Sequence, residues 1–168
     1  GAAHRVRSPA NAWLDFCHRY HPTGAVGGDF FNVLQLTDPK AGLFICDVMG
    51  HGVRSALVTA MVRGLVEELK TSASDPGELL TRVNEDLRAI LRQTGTGLFT
   101  TAFYLVADLE ARKYFYANAG HPKPLLQRRN GSDVHIFQND YPKAKPALGL
   151  FQDATYPTSS LDMLEGDK

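Results

Sequence analysis

The chain has 168 residues, with 18 Lys plus Arg, 18 Asp plus Glu and a formal net charge of zero. This length predicts a single domain, and the balanced charge argues against nucleic-acid and membrane-surface partners. No apolar run approaches the roughly 20 residues that a bilayer-spanning helix needs, and we expect no signal peptide. The two cysteines, Cys17 and Cys46, lie in apolar segments, so we expect free, buried thiols in a reducing cytoplasm.

The N-terminal part of the chain predicts short antiparallel strands. Residues 1–10 are polar, and we interpret them as a linker or expression tail before a domain over residues 11–168. Alternating or continuous apolar residues bounded by turn signals predict three strands. These strands cover residues 12–20, 30–36 and 43–48. Joined as a meander, they place Asp29 and Asp47 near one end of a sheet.

Two helices are predicted next. Apolar side chains at three- and four-residue spacing predict a helix over residues 55–71. The second helix begins with a strong signal: Asp75 suits the N-cap, Pro76 the first position and Glu78 the third. We expect this helix to continue to about Arg92.

Strands return in the last part of the chain. Residues 99–108 and 113–119 are rich in aromatic and β-branched side chains and predict a hairpin. A second hairpin is predicted over residues 125–128 and 134–137, and three prolines beyond Asn139 predict loop. Strands, two helices and then strands indicate an α+β fold with the helices on one face of a sheet.

The stretch that organises these elements is residues 46–56, CDVMGHGVRSA. Asp47 stands where a buried strand ends, and Gly50 and Gly52 allow a sharp turn before the first helix. A carboxylate beside exposed carbonyls at a rigid strand end suits a hard cation such as Mg²⁺ or Mn²⁺. The alternative is a glycine-rich turn in which Asp47 caps the helix.

A second motif, residues 27–32 (GGDFFN), again places an aspartate, Asp29, after two glycines. The two motifs together resemble the SpoIIE/RsbU branch of the PPM-type metal-dependent serine/threonine protein phosphatases. Further motifs follow in the family's order: PGELL at 76–80, VN at 83–84, FTTA at 99–102, ANAGHP at 117–122, ALGL at 147–150 and EGD at 165–167. The resemblance covers roughly residues 12–168 and implies a PPM phosphatase-like β-sandwich flanked by helices, with metals at one end.

The resemblance implies a two-metal site. Asp47 would bridge two Mn²⁺ or Mg²⁺ ions, the carbonyl of Val48 would bind one, and Asp29 would bind the other. Asp29 and Asp47 are therefore the predicted catalytic residues. A water activated by the ions would hydrolyse phosphoserine or phosphothreonine, without a covalent phosphoenzyme.

The resemblance also implies the partners. Enzymes of this branch dephosphorylate a small anti-sigma-factor antagonist, under the control of an attached sensor or receiver domain. We expect the same classes of partner here.

Two departures from the family pattern matter. Asn32 stands where the family usually has an acidic residue, and we expect it to weaken an outer contact to the waters of the metals. The family continues beyond the EGD motif with a Thr-Asp-Gly motif and a further aspartate, so we expect the C-terminal part of the domain to be missing. With two of four carboxylates, Mn²⁺ binding and turnover should be weak, and an uncovered sheet edge favours a homodimer.

Two alternatives stay open. The first is a catalytically impaired, phosphatase-like module that binds a phosphoprotein. The second is a zinc hydrolase that uses His51 and His121. We interpret His121 as structural, and His51 either as packing the turn or as a group that protonates the leaving group. Thr100 and Thr101 are interpreted as strand residues.

Overall fold

The computed structural model describes residues 4–7, 13–20, 27–95, 97–129 and 134–168. Its strands are β1 (His4–Arg7), β2 (Trp13–Phe16), β3 (Asp29–Thr37), β4 (Lys40–Val48), β5 (Thr100–Asp108), β6 (Lys113–Ala119), β7 (Leu125–Gln127), β8 (Val134–Ile136) and β9 (Ser159–Asp162). Its α-helices are α1 (Val53–Glu68) and α2 (Pro76–Thr94). Five strands form one antiparallel sheet in the order β3-β4-β5-β6-β9, while β1-β2 and β7-β8 form two small sheets.

Local signals determine both ends of α2, which begins as predicted and ends two residues beyond the predicted Arg92. The Asp75 carboxylate accepts hydrogen bonds from the backbone N–H groups of Gly77 and Glu78, at 2.9 and 3.1 Å. Gly95 ends the helix in the left-handed conformation, with a φ of +64°. Helix α1 starts two residues earlier than predicted and ends at Glu68, because the chain tightens into a 3-10 turn over Leu69–Ser72.

The main core lies between the five-stranded sheet and the two helices. Alternate residues of each strand face the helices, as the pleat of a strand requires. The buried side chains of this core include Leu34, Phe44, Cys46, Val48, Val62, Val66, Leu79, Val83, Leu87, Tyr104 and Ala117. The Tyr104 hydroxyl donates a 2.7 Å hydrogen bond to the carbonyl of Ala73, which ties β5 to the segment between the helices.

The opposite face of the sheet carries a smaller apolar cluster. Phe103 and Tyr116 project from β5 and β6 and pack against Leu126 of β7 and against Phe137, which follows β8. The β7-β8 hairpin thus forms part of a second layer on this face. The α+β class with helices on one face of an antiparallel sheet is confirmed. The predicted turn at residues 130 and 131 lies outside the described residues.

Three elements differ from the prediction. The strand predicted over residues 12–20 is only Trp13–Phe16, and it pairs with β1 instead of joining the main meander. β1 itself lies within residues 1–10, where the linker interpretation does not anticipate a strand. β9 stands where the sequence predicts loop, because its stability comes from non-local pairing with β6 and not from an apolar pattern.

The two cysteines are both free, and only one is buried. Cys46 lies in the main core, and burial raises its pKa to about 12. Cys17 is exposed, so the prediction of two buried thiols is wrong for this residue. Among the residues described, none of the helices combines the length and hydrophobicity that a bilayer crossing requires.

Candidate metal centre

Asp29 and Asp47 meet at one end of the sheet. Asp29 is the first residue of β3, Asp47 is the penultimate residue of β4, and the two are direct cross-strand partners. Cys46 and Val48 face the helices, so the carboxylate of Asp47 and that of its partner project from the opposite face. Partial burial and then the charge of Asp29 raise the pKa of Asp47, while His121 acts in the opposite direction.

The backbone of Val48 is held close to the segment that precedes Asp29. The N–H of Val48 donates a 3.1 Å hydrogen bond to the carbonyl of Gly28. A Cβ atom on Gly28 would lie 2.5 Å from the Val48 carbonyl oxygen, which is closer than Cβ atoms come to other atoms. The hydroxyl oxygen of Thr59 in α1 lies 3.1 Å from the Gly28 carbonyl and 2.9 Å from the carbonyl of Ser55 in its own helix. The two strand ends and α1 therefore form one rigid unit, which the absence of a side chain at position 28 permits.

The turn between β4 and α1 uses two glycines in the left-handed region. The φ angles of Gly50 and Gly52 are +88° and +82°. Gly52 is the N-cap of α1, and within the described part of the chain no side chain caps this end of the helix. The interpretation of Asp47 as a helix cap is therefore wrong, and its carboxylate is available for another partner.

β5 supports the site from the other side of β4. Thr100 and Thr101 stand opposite Val48 and Asp47. The Thr100 hydroxyl donates a 2.9 Å hydrogen bond to the backbone carbonyl of Asp47. The Thr101 hydroxyl lies 2.9 Å from Nδ1 of His121. The sequence indicates only that both threonines are strand residues, whereas their hydroxyls also contact the backbone of Asp47 and the ring of His121.

A polar turn holds His121 at the end of β6. Its backbone N–H donates to Oδ1 of Asn118 at 2.8 Å, and Nδ2 of Asn118 donates to the His121 carbonyl at 2.9 Å. Burial lowers the pKa of His121, while the charges of Asp47 and Asp29 act to raise it. The sequence signal for this arrangement is an asparagine in an apolar strand, shortly before a Gly-His pair.

A cavity of about 530 Å³ opens beside Asp29. Asp29 and His121 form part of its polar lining, and Phe31, Leu43 and Ile45 form an apolar part. Residues 17–20 contribute another wall, where the ring of His18 lies 4.6 Å from that of Phe31, centroid to centroid. His51 is exposed in the glycine turn and does not line this cavity.

The donor set at the strand ends fits a hard divalent cation. Mg²⁺ in proteins is commonly bound by one or two carboxylates with several waters, and here two aspartates are cross-strand partners, one of them followed directly by Val48. The opposed negative charges also favour a cation between them. Zinc needs three or four nitrogen, sulfur or carboxylate ligands. No group of three or more such side chains that could hold a metal occurs within the described residues.

Asn32 lies away from the metal centre, where the sequence predicts an outer contact to the waters of the metals. It lies on the helix-facing side of β3, where Nδ2 donates a 3.0 Å hydrogen bond to Oε1 of Glu67 in α1. Asp29 projects from the other side, three residues away. The expected effect of Asn32 on waters of the metals is therefore not supported by its position.

The sequence profile of the family described as Stage II sporulation protein E (SpoIIE) matches residues 37–168. This chain belongs to the SpoIIE family. Asp47 and Val48 lie within the matched residues, and Asp29 lies eight residues before the match begins. The membership agrees with the resemblance that the two glycine-aspartate motifs indicate.

Two relatives of this SpoIIE-family chain come from Bacillus subtilis (strain 168). Phosphoserine phosphatase RsbP is 29% identical over 147 residues, which cover 87% of this chain and 35% of RsbP. Phosphoserine phosphatase RsbU is 23% identical over 162 residues, which cover 96% of this chain and 46% of RsbU. The chain thus spans less than half the length of each of these relatives.

Solved structures show the same fold. The RsbU and RsbW domains of Rv1364c from Mycobacterium tuberculosis match with a TM-score of 0.71 and 24% identity, over 99% of this chain and 40% of that one. RsbX in complex with magnesium matches with a TM-score of 0.65 and 17% identity, over 98% of this chain and 68% of that one. At these identities the similarity establishes the architecture of the SpoIIE-family chain.

Proposed function

We propose that this SpoIIE-family chain is a metal-dependent phosphatase that hydrolyses phosphoserine or phosphothreonine on a signalling protein. The direct opposition of Asp29 and Asp47 at the sheet end carries the proposal. Two acidic cross-strand partners repel each other and destabilise the sheet unless a cation lies between them. The arrangement therefore favours a cation-binding site. The similarity to the phosphoserine phosphatases RsbP and RsbU supports the reaction class.

The proposed site would bind Mn²⁺ or Mg²⁺, two ions in the complete arrangement. The carboxylates of Asp29 and Asp47 and the main-chain carbonyl of Val48 would hold them. When bound, such ions supply a water nucleophile at neutral pH and neutralise the charge of the phosphoryl group. RsbX, a structural neighbour, was solved in complex with magnesium.

The chain's own residues contribute a rigid arrangement of acceptors. The hydrogen bond from Thr100 fixes the backbone of Asp47, and the contact of Gly28 with Val48 fixes the two strand ends relative to each other. Ionised carboxylates accept hydrogen bonds only, so Asp29 and Asp47 orient water by accepting its protons. Positioning of this kind lowers the entropic part of the activation barrier.

The proposed partners follow from the family. We propose a small anti-sigma-factor antagonist as the phosphoprotein and a sensor or receiver domain as the regulator. The names of the neighbours include RsbW and the stressosome, which supports a signalling role. Two free thiols support a reducing cytoplasm, and β3 at the sheet edge supports a homodimer.

The domain boundary also stays a proposal. We propose residues 11–168 as the phosphatase domain and residues 1–10 as a linker or tail. The pairing of β1 with β2 argues for a start before residue 11.

Hydrolysis of para-nitrophenyl phosphate and of a phosphoserine peptide tests the proposal. We expect turnover with Mn²⁺ or Mg²⁺ and loss of about 100-fold or more in Asp47→Asn. Asp86→Asn is the matched control, because Asp86 is an exposed residue of α2. A folded protein that binds a phosphoprotein but does not hydrolyse it with either metal would instead favour the impaired interaction module.

A further inference from the structure

We propose that His121 contacts the substrate in this site, donating a hydrogen bond from Nε2 to a phosphoryl oxygen, and that Thr101 is the residue that positions its ring. The inference rests on the proposed function, because it concerns the same phosphoryl group. It changes the interpretation of His121 from a structural side chain to one that binds the anionic part of the substrate.

The first observation is a row of polar side chains across three strands. Asp29 pairs with Asp47, and Asp47 pairs with Thr101, so the three side chains stand next to one another on one face of the sheet. His121 extends this row, because its Nδ1 lies 2.9 Å from the Thr101 hydroxyl. The imidazole therefore belongs to the same surface as the carboxylate pair, and it lines the same cavity as Asp29.

The second observation is that the backbone that carries the ring is held in place. The two hydrogen bonds with Asn118 fix the backbone of His121. Gly120 has a φ of +69°, and a Cβ atom there would lie 3.2 Å from the backbone nitrogen of Ala147. The turn therefore has little freedom to move. A donor that is already in place loses little entropy when it binds a ligand.

The third observation concerns the direction of the hydrogen bonds. The Thr101 hydroxyl can donate to Nδ1 of His121 at 2.9 Å or to the carbonyl of Asp47 at 3.5 Å. The carbonyl already accepts a 2.9 Å hydrogen bond from Thr100, so the shorter contact with Nδ1 is the better one. With Thr101 as the donor, Nδ1 accepts and the proton of a neutral imidazole resides on Nε2, which is the tautomer that the proposal requires.

The Nε2–H tautomer supplies a hydrogen-bond donor, which the two carboxylates lack. Ionised Asp29 and Asp47 can only accept hydrogen bonds, so they offer nothing directly to a phosphoryl oxygen. An Nε2–H group at the end of the same row is a donor for an oxygen that is not engaged elsewhere. A hydrogen bond to a charged group is stronger than one between neutral groups, which makes the contact measurable.

The test compares His121→Ala, His121→Gln and Thr101→Val with the unmodified chain. Gln retains an N–H donor of similar reach, and Val retains the shape of Thr without its hydroxyl. His135→Ala is the matched control, because His135 is exposed and lines a different cavity. Thermal unfolding checks that each variant is folded.

Two readouts are combined. The first is binding of inorganic phosphate in the presence of Mn²⁺, by calorimetry, together with the KM for a phosphoserine peptide. We expect His121→Ala to weaken phosphate binding and raise KM by about 10- to 100-fold, with most of the loss recovered in His121→Gln. The second is the tautomer of His121 in the metal-free protein, from imidazole ¹⁵N chemical shifts. We expect the Nε2–H form in the unmodified chain and a mixture of forms in Thr101→Val.

The outcomes separate this inference from the proposed function. Turnover that Asp47→Asn abolishes, with phosphate affinity and KM unchanged in His121→Ala, overturns the role of His121 and leaves the phosphatase intact. An Nδ1–H tautomer, or no phosphate binding by the unmodified chain, also overturns the inference. Absence of turnover with weakened phosphate binding in His121→Ala contradicts the enzyme and supports the contact.

Discussion

Asp29 and Asp47 are direct cross-strand partners at the end of the β3-β4 pair, and both side chains project away from the helices. Like charges in this position repel, and the pKa of Asp47 is raised by partial burial and by Asp29. The metal-free protein therefore carries an electrostatic cost at this end of the sheet. A bound cation removes that cost, so the repulsion and the proposed function have the same origin.

Because Asp29 and Asp47 repel each other, we predict that Asp47→Asn stabilises the metal-free protein. We expect a gain of about 0.2–1 kcal/mol at pH 7, measured by urea unfolding with a chelator present. A raised folded-state pKa means that the native state binds the proton more tightly than the unfolded state. The penalty is therefore full above the raised pKa, and it disappears as the pH falls toward the ordinary Asp value of 3.8. A variant that is less stable than wild type, or a pH-independent difference, contradicts this explanation.

Gly28→Ala is predicted to damage the site by displacing a strand end. The new Cβ atom would lie 2.5 Å from the Val48 carbonyl oxygen, and that backbone has no room to move without breaking its hydrogen bond. We expect a loss of about 1–3 kcal/mol in unfolding free energy and weaker Mn²⁺ binding.

Gly64→Ala is the control for that substitution. A Cβ atom on Gly64 meets no atom of the described residues within 4 Å, and the residue lies on the exposed side of α1. Because alanine favours a helix more than glycine, we expect a gain of about 0.5–1 kcal/mol. Similar losses in both variants would mean that the contact with Val48 is not the cause.

Asn84 is predicted to be the main polar link between α2 and the loop before β9. Its Oδ1 accepts from the N–H of Gly149 at 2.8 Å, and its Nδ2 donates to the carbonyl of Phe151 at 2.9 Å. Asn84→Ala leaves both backbone groups without these partners, and we expect a loss of about 1–3 kcal/mol in thermal or urea unfolding. Gln93→Ala, on the exposed side of α2, should change stability by less than about 0.5 kcal/mol. Equal effects in the two variants would refute the link.

Asn32→Asp tests whether Asn32 stabilises the contact between β3 and α1 or acts on the waters of the metals. The carboxylate that this change introduces would repel the Glu67 carboxylate across the β3-α1 contact, which now holds a 3.0 Å hydrogen bond. We expect a loss of less than about 1 kcal/mol at pH 7, recovered at acidic pH and in the double variant with Glu67→Gln. An increase in Mn²⁺ affinity without loss of stability would instead support the outer contact that the sequence suggests.

Much of the fold follows from local signals in the sequence. Asp75, Pro76 and Gly95 mark the ends of α2, and the aromatic and β-branched runs of β5 and β6 predict their hairpin. β9 escapes prediction because a short edge strand needs only backbone pairing and contacts such as the 3.3 Å ion pair between Lys113 and Asp162. Such pairing depends on distant parts of the chain, which no local pattern records.

In the candidate site, too, some features follow from local sequence signals and others depend on non-local pairing. The convergence of Asp29 and Asp47 could be predicted, because each accompanies a glycine-rich signal at the end of a strand. The bond between Thr101 and His121 could not, because the β5-β6 pairing brings together residues that are 20 positions apart. The side of the sheet on which Asn32 lies was available from strand alternation, since it differs from Asp29 by an odd number of residues.

Binding of Mn²⁺ to the metal-free chain tests the central claim most directly. Electron paramagnetic resonance of free Mn²⁺ would be followed during titration of the unmodified chain, Asp29→Asn, Asp47→Asn and the control Asp86→Asn. We predict binding to the unmodified chain and the control, with affinity reduced by about tenfold or more in each of the other two variants. Affinity that is unchanged in both Asp29→Asn and Asp47→Asn would contradict the assignment of the metal centre to this pair.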